Sequence, residues 1–253
     1  MQKTNNVYQN LGYWFLIFIV LVFAGFYTTY FSVFFQQRPT IVHIHFALML
    51  LWIAMIITQP FLIKYKKRAL HRTIGKASYV LVPMLLITAF LMMRMGYYRD
   101  INALHEQSIK GLNHFTGAAI LKQVADRPIA LFYLTWFALF YCLAIINRHN
   151  SFSHARYMLA TALTLTGPTV DRIIGIDFNM ETIGGFISSF IISFLIIDII
   201  LALLFISDFR HKRSIKTLAS CLVIYITGQV LYFLVPGFNW WPSFFAFVMG
   251  PHP

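Results

Sequence analysis

Residues 41–63 read IVHIHFALMLLWIAMIITQPFLI, an apolar run long enough for a helix to cross the hydrocarbon core of a bilayer. Three strongly polar side chains, His43, His45 and Gln59, interrupt it. Polar groups at that depth are costly unless another helix receives them, so they are the first functional clue. The run is followed by the cationic segment KYKKRALHR and then by TIGKASY at the start of a second apolar run. Residues 41–79 therefore read as a membrane hairpin with a histidine near each end and a block of cations at its turn.

Composition fits the same class. Hydrophobic residues make up 59% of the chain and charged ones only 11%, whereas a soluble domain carries roughly 25% charged residues. Seven spans follow from the pattern: 11–35, 40–63, 74–95, 128–146, 155–174, 183–206 and 217–236. Each is near the ~20 residues a crossing helix needs. The expected fold is thus an all-α polytopic bundle, one integral membrane domain over residues 1–253. The first run is too long for a signal-peptide core and shows no small-residue cleavage site, so it reads as a retained helix.

The 20 Lys and Arg against 8 Asp and Glu do not point to nucleic acid, because the cations sit in short loops rather than along one face. They divide 13 to 7 between the two sets of loops, and the acidic residues lean the other way. The positive-inside rule makes the richer side cytoplasmic, with the N-terminus inside and the C-terminal tail outside, in the inner (cytoplasmic) membrane. The cationic loops also suit anionic lipid headgroups, at about 1 kcal/mol per Lys or Arg. A long external segment, 96–127, carries His105 and His114, and residues 116–125 within it read as a short amphipathic helix. The tail, with Trp240 and Trp241, reads as an interfacial anchor.

The two cysteines, Cys142 and Cys221, lie in different spans and have no zinc or redox spacing. No phosphate loop, nucleophile elbow or His-Glu-x-x-His zinc pattern is present. The chemistry-bearing candidates are therefore the polar groups inside the spans. On the second span His45, Met49, Trp52, Ile56 and Gln59 share one face, while His43 lies about 200° round from His45. One regular helix cannot aim both imidazoles at one metal. On the fifth span His154 and Arg172 share a line but lie roughly 27 Å apart, and Pro168 after Gly167 should kink or break the helix.

An outer polar pocket is expected from His45, Arg94, Asp171 and Arg172, with His114 or His105 from the long loop. On the cytoplasmic side His71 and His154 open spans at similar depth and could bracket a haem iron or a divalent metal, with His45 as a third candidate ligand. Asp198, near the middle of the sixth span, should be protonated or hydrogen-bonded, with Tyr225, Thr227 or Gln229 on the seventh as partners.

His71-Arg72-Thr73-Ile74-Gly75-Lys76 followed by Tyr79 resembles the His-Arg-x-x-Gly-Arg-x-Tyr signature of an uncharacterised family of bacterial predicted multi-pass membrane proteins. His154-Ala155-Arg156-Tyr157-Met158, with Arg172 beyond it, resembles that family's second signature, His-Arg-Arg-Trp-Met followed by a distal arginine. His45 matches a third histidine position. Ala155 and Tyr157 depart from the pattern. The resemblance implies a fold and marked positions, not a reaction. The two signatures are also alike, so spans two to three and four to five read as a weak internal duplication.

Three functional readings follow. The first is an accessory subunit of a larger membrane complex, or a membrane protein binding a small ligand through His45, Arg94, His114, Asp171, Arg172 and Asp198. Its alternatives are a b-type haem or metal redox protein using His45, His71 and His154, and a proton-coupled transporter working through Asp198.

Overall fold

The computed structural model of the chain describes residue 8 and residues 10–111, 115–180, 182–183 and 187–251. His114, one of the expected ligand residues, lies outside them. The fold is all-helical apart from a two-residue antiparallel pairing of β1 (Thr182–Ile183) with β2 (Ile187–Ser188).

Among the described residues six helices are long and apolar enough to cross a membrane. The first, α1 (Leu11–Phe31), ends in a π-helical turn at Tyr27–Phe31. It is followed by α2 (Thr40–Lys64), α3 (Arg68–Ile109), the short α4 (Gly117–Ala125) and α5 (Ile129–Ile146). The expected fifth span is two pieces, α6 (Ser151–Leu163) and α7 (Thr166–Arg172), the latter running into a second π turn at Ile173–Asp177. Then come α8 (Ser189–Arg210), α9 (Lys216–Leu234) and α10 (Trp241–Met249).

The break between α6 and α7 has the cause the sequence suggests. Pro168 has no N–H to give to the carbonyl four residues back, and its ring crowds that turn, so the helix stops at Leu163 and restarts at Thr166. The break also leaves room for tight packing. A Cβ on Gly25 would sit 2.5 Å from the carbonyl oxygen of Thr169, so α1 can lie against α7 only because position 25 has no side chain. Gly167 likewise faces the ring of Tyr133 on α5.

The long external segment of 96–127 is corrected by the fold. Helix α3 runs on to Ile109 without a break, so hydropathy marked where lipid contact ends and not where the helix ends. The short helix expected at 116–125 is α4, with Thr116 as its N-cap accepting from the Ala119 N–H at 3.3 Å. Of the tail tryptophans, Trp240 is exposed, whereas Trp241 is buried and donates from Nε1 to the carbonyl of Ala125 at 2.8 Å. Helix α10 is therefore clasped to α4, forming with Tyr97 on α3 a small second core.

The main core gathers Trp52 from α2, Phe140 from α5, Ile197 and Leu201 from α8, and Leu218 and Tyr225 from α9, all fully buried. Outward, every long helix exposes large apolar side chains, among them Val20, Leu51, Val80, Leu203 and Val223. So much exposed apolar surface suits a lipid surround and not water. Cys142 lies on that outer surface, while Cys221 is buried in the core.

Candidate functional site

The polar side chains collect at the two ends of the bundle. At the end where α2, α3, α5 and α6 meet, the rings of His71 and His154 stand 6.5 Å apart, centroid to centroid, with their planes at 88°. Each histidine opens its helix and turns Nδ1 back to the preceding helix. The Nδ1–H of His154 donates to the carbonyl of Ala144 on α5 at 2.9 Å. The Nδ1 of His71 meets the side-chain amide of Gln59 on α2. With its nitrogen toward His71, that amide donates to Nδ1 and to the His71 carbonyl at 3.3 Å, while its oxygen accepts from the Gly75 N–H at 3.2 Å. Both rings are left with Nε2 as their only unengaged nitrogen.

Gly75 lies one turn beyond His71, and a Cβ there would meet only Gln59, at 4.0 Å, so the flank of the pair is open. Ser78, one turn further, shares a hydrogen bond with Tyr141 at 2.8 Å. Above them Trp52 is fully buried, and its Nε1 has no partner among the described residues.

Beside this pair lies a feature the sequence reading missed. Asp208 on α8 is completely buried and accepts from Arg156 Nε at 2.9 Å and from Arg156 Nη2. Tyr8 donates to the same carboxylate at 2.9 Å, and Arg213 approaches it at 3.5 Å. Burial raises the Tyr8 phenol above its ordinary range, which keeps it a neutral donor. The Arg156 guanidinium is also stacked on Phe152 and Tyr8, 3.1 and 4.3 Å from their ring centres. The cluster ties α6 to α8 through a buried ion pair. Arg156 in the second signature is thus a structural anchor beside His154.

At the opposite end the two histidines of α2 diverge, as their spacing requires. His43 Nδ1 bonds Tyr30 of α1 at 2.9 Å, and His45 Nδ1 bonds Thr88 of α3 at 3.0 Å. Thr88 gives its own proton to the Leu85 carbonyl, so it accepts from His45 and leaves the His45 Nε2 as a lone pair. Asp171 accepts from Tyr133 at 2.9 Å and Ser193 at 2.5 Å, tying α7 to α5 and α8. Arg172 donates to the Pro168 carbonyl at 2.8 Å and lies over Phe26 at 4.5 Å.

The expected outer group is therefore only partly assembled. His45, Asp171 and Arg172 are neighbours, but Arg94 is drawn away: it donates to the Pro251 carbonyl and lies over Tyr98, 5.6 Å from its ring centre. His105 is exposed on the outer stretch of α3. Asp198 is half-buried and accepts from Gln229 at 3.1 Å, one of its three expected partners; Tyr225 instead donates to the Ala160 carbonyl at 2.8 Å.

His45 cannot join the pair at the other end. It precedes Gln59, the residue that touches His71, by 14 positions, which is roughly 21 Å along a helix. Among the described residues no group of three or more His, Cys, Asp or Glu is placed to hold a metal ion. Of the three expected ligands His45, His71 and His154, the fold brings His71 and His154 together and holds His45 apart. No protein-family model matches the chain, and no curated protein or solved structure is similar to it.

Proposed function

We propose that the chain is an integral membrane redox protein that holds a b-type haem between His71 and His154. The observation that carries this reading is the pairing itself: two imidazoles on different helices, 6.5 Å apart between ring centres, each with Nδ1 engaged by the preceding helix and Nε2 left over. Two metal–nitrogen bonds of roughly 2 Å plus the half-width of each ring fill that separation. Metal-ligating histidines characteristically donate their other N–H to a carbonyl or carboxylate, as His154 does to Ala144. A bare divalent ion would need further donors, and none is grouped with the pair. A porphyrin brings four nitrogens of its own and asks the protein only for axial ligands.

The residues play distinct parts. His154, with its proton on Nδ1, presents an Nε2 lone pair. His71 does so once the Gln59 amide turns its oxygen toward Nδ1; with the nitrogen there, Nε2 of His71 carries the proton instead. The exposed cations Arg72, Lys76 and Arg148 flank the pair and suit propionates. A bound haem would supply one-electron chemistry.

On this reading α6, α7 and the π turn make a broken seventh crossing, residues 151–177 covering roughly 40 Å. The N-terminus is then cytoplasmic, the C-terminus outside, and the histidine pair near the cytoplasmic face of the inner membrane, where cationic loops meet anionic lipid headgroups. The parallel between His71 reaching back to Gln59 and His154 reaching back to Ala144 supports the internal duplication and the proposed kinship with the two-signature family.

The test is an optical and elemental scan of full-length protein purified from membranes of cells supplied with haem precursor. A Soret band that shifts on reduction and is lost in His154→Ala supports the reading. Colourless wild-type protein without bound iron overturns it.

A further inference from the structure

Arg172 lies at the end of the bundle opposite the histidine pair. None of the ion pairs among the described residues includes it. Its hydrogen bond goes to a backbone carbonyl, and both oxygens of the adjacent Asp171 are held by Tyr133 and Ser193. Asp171 therefore acts on Arg172 through its charge alone, and among the described residues no carboxylate hydrogen-bonds the half-buried guanidinium, a place that a bound anion would fill. Thr29 supplies a second, independent observation: its hydroxyl is buried and has no hydrogen-bond partner. It follows Gly25 by one helical turn, on the face of α1 that meets Thr169 and hence the turn leading to Arg172. Thr29 lies inside the first π turn and Arg172 immediately precedes the second, and such turns recur at functional sites.

His45 completes the group. Arg172 acts on it electrostatically, and its Nδ1–H is committed to Thr88, which leaves Nε2 able to take a proton. On the neighbouring elements Thr88 of α3 is neutral, Tyr30 of α1 is paired with His43, and the Asp177 carboxylate of the second π turn accepts from Thr28. Asp171 on α7 is turned to Tyr133 and Ser193.

We infer that Arg172, Thr29 and His45 form a binding site for a small oxyanion, a carboxylate or a phosphate, taken up together with its proton. The guanidinium offers paired N–H donors to the two oxygens, and the Thr29 hydroxyl offers a third. An acid arriving protonated breaks its O–H bond and forms an N–H bond at His45 Nε2. The product is an oxyanion beside two cations, with no net change in charge.

The experiment uses full-length protein in nanodiscs and reads thermal stability and calorimetric binding, with acetate and inorganic phosphate as probes in a zwitterionic bilayer. A parallel arm without added anion compares phosphatidylglycerol with phosphatidylcholine. Saturable binding of a free anion that weakens roughly tenfold or more in Arg172→Gln, and less in Thr29→Val, establishes a site for soluble oxyanions. Stabilisation by phosphatidylglycerol alone, lost in the same variants, identifies a lipid headgroup as the source of the phosphate. Equal responses of wild type and Thr29→Val to every probe, or no response in wild type, overturn the proposal. Should Arg172→Gln fail to fold, Arg172→Lys takes its place: it keeps the charge, loses the paired donors, and is expected to bind with reduced affinity.

Discussion

His154 donates its Nδ1 proton to the carbonyl of Ala144, ten residues earlier on the neighbouring helix, at 2.9 Å. That bond fixes the tautomer and leaves Nε2 as the free lone pair of a ring that stands 6.5 Å from that of His71. It also separates the three candidate histidines by role, since His45 has its own partner, Thr88, at the other end of the bundle. His71→Ala or His154→Ala should each abolish the haem spectrum, while His45→Ala leaves it intact. Spectra of the three purified variants at matched protein concentration check this. A loss of signal in His45→Ala equal to that in the other two would contradict the assignment.

Gln59 should tune the site without being essential to it. Removing a partner that orients a metal-bound histidine costs roughly 10- to 100-fold in metal affinity. Gln59→Leu is therefore expected to yield protein that folds but retains haem weakly, read as the haem-to-protein ratio after washing. Gln59→Glu places a carboxylate against His71 Nδ1, makes the ring a stronger donor to iron, and should lower the midpoint potential. A potential unmoved by Gln59→Glu would place the amide outside the site.

Much of this was legible in the sequence because it follows from helix periodicity. The divergence of His43 and His45, the common depth of His71 and His154, the break before Pro168 and the Asp198–Gln229 bond all depend on spacing along one helix or between adjacent ones. What escaped depends on which faces meet across distant segments. Asp208 lies just past the sixth apolar run and Arg156 inside the fifth; only the packing of α6 on α8 makes them a pair. Arg94 was drawn out of the outer group by a carbonyl 157 residues away. Helix α3 outran its apolar stretch because hydropathy reports solvent, not backbone conformation.

The Arg156 and Asp208 pair gives the sharpest stability prediction. Both side chains are almost wholly buried, at 3% and 0% exposure, so removing one leaves the other charged and desolvated. Arg156→Leu should cost about 3–5 kcal/mol, whereas the double change Arg156→Leu with Asp208→Leu should recover most of it, because the desolvation penalty disappears with both charges. Denaturant titration in detergent measures the difference. Equal losses in the single and double variants would show that the pair acts through shape and not charge.

The contact of Gly25 with Thr169 tests whether the broken helix is held in place or merely tolerated. Gly25 meets the carbonyl of Thr169, and an added Cβ at 2.5 Å cannot be absorbed by rotating a side chain, because the obstacle is backbone. Gly25→Val should therefore force α1 and α7 apart, at about 1–3 kcal/mol. The displacement also carries Thr29 and Arg172 away from each other, since each follows its contact residue by three or four positions. Gly25→Val should thus weaken oxyanion binding while sparing the haem spectrum, because the His71 and His154 pair lies at the far end of the bundle. Loss of both together, in protein that remains folded, would mean the two ends are coupled through α7 and α6 and do not act as separate sites.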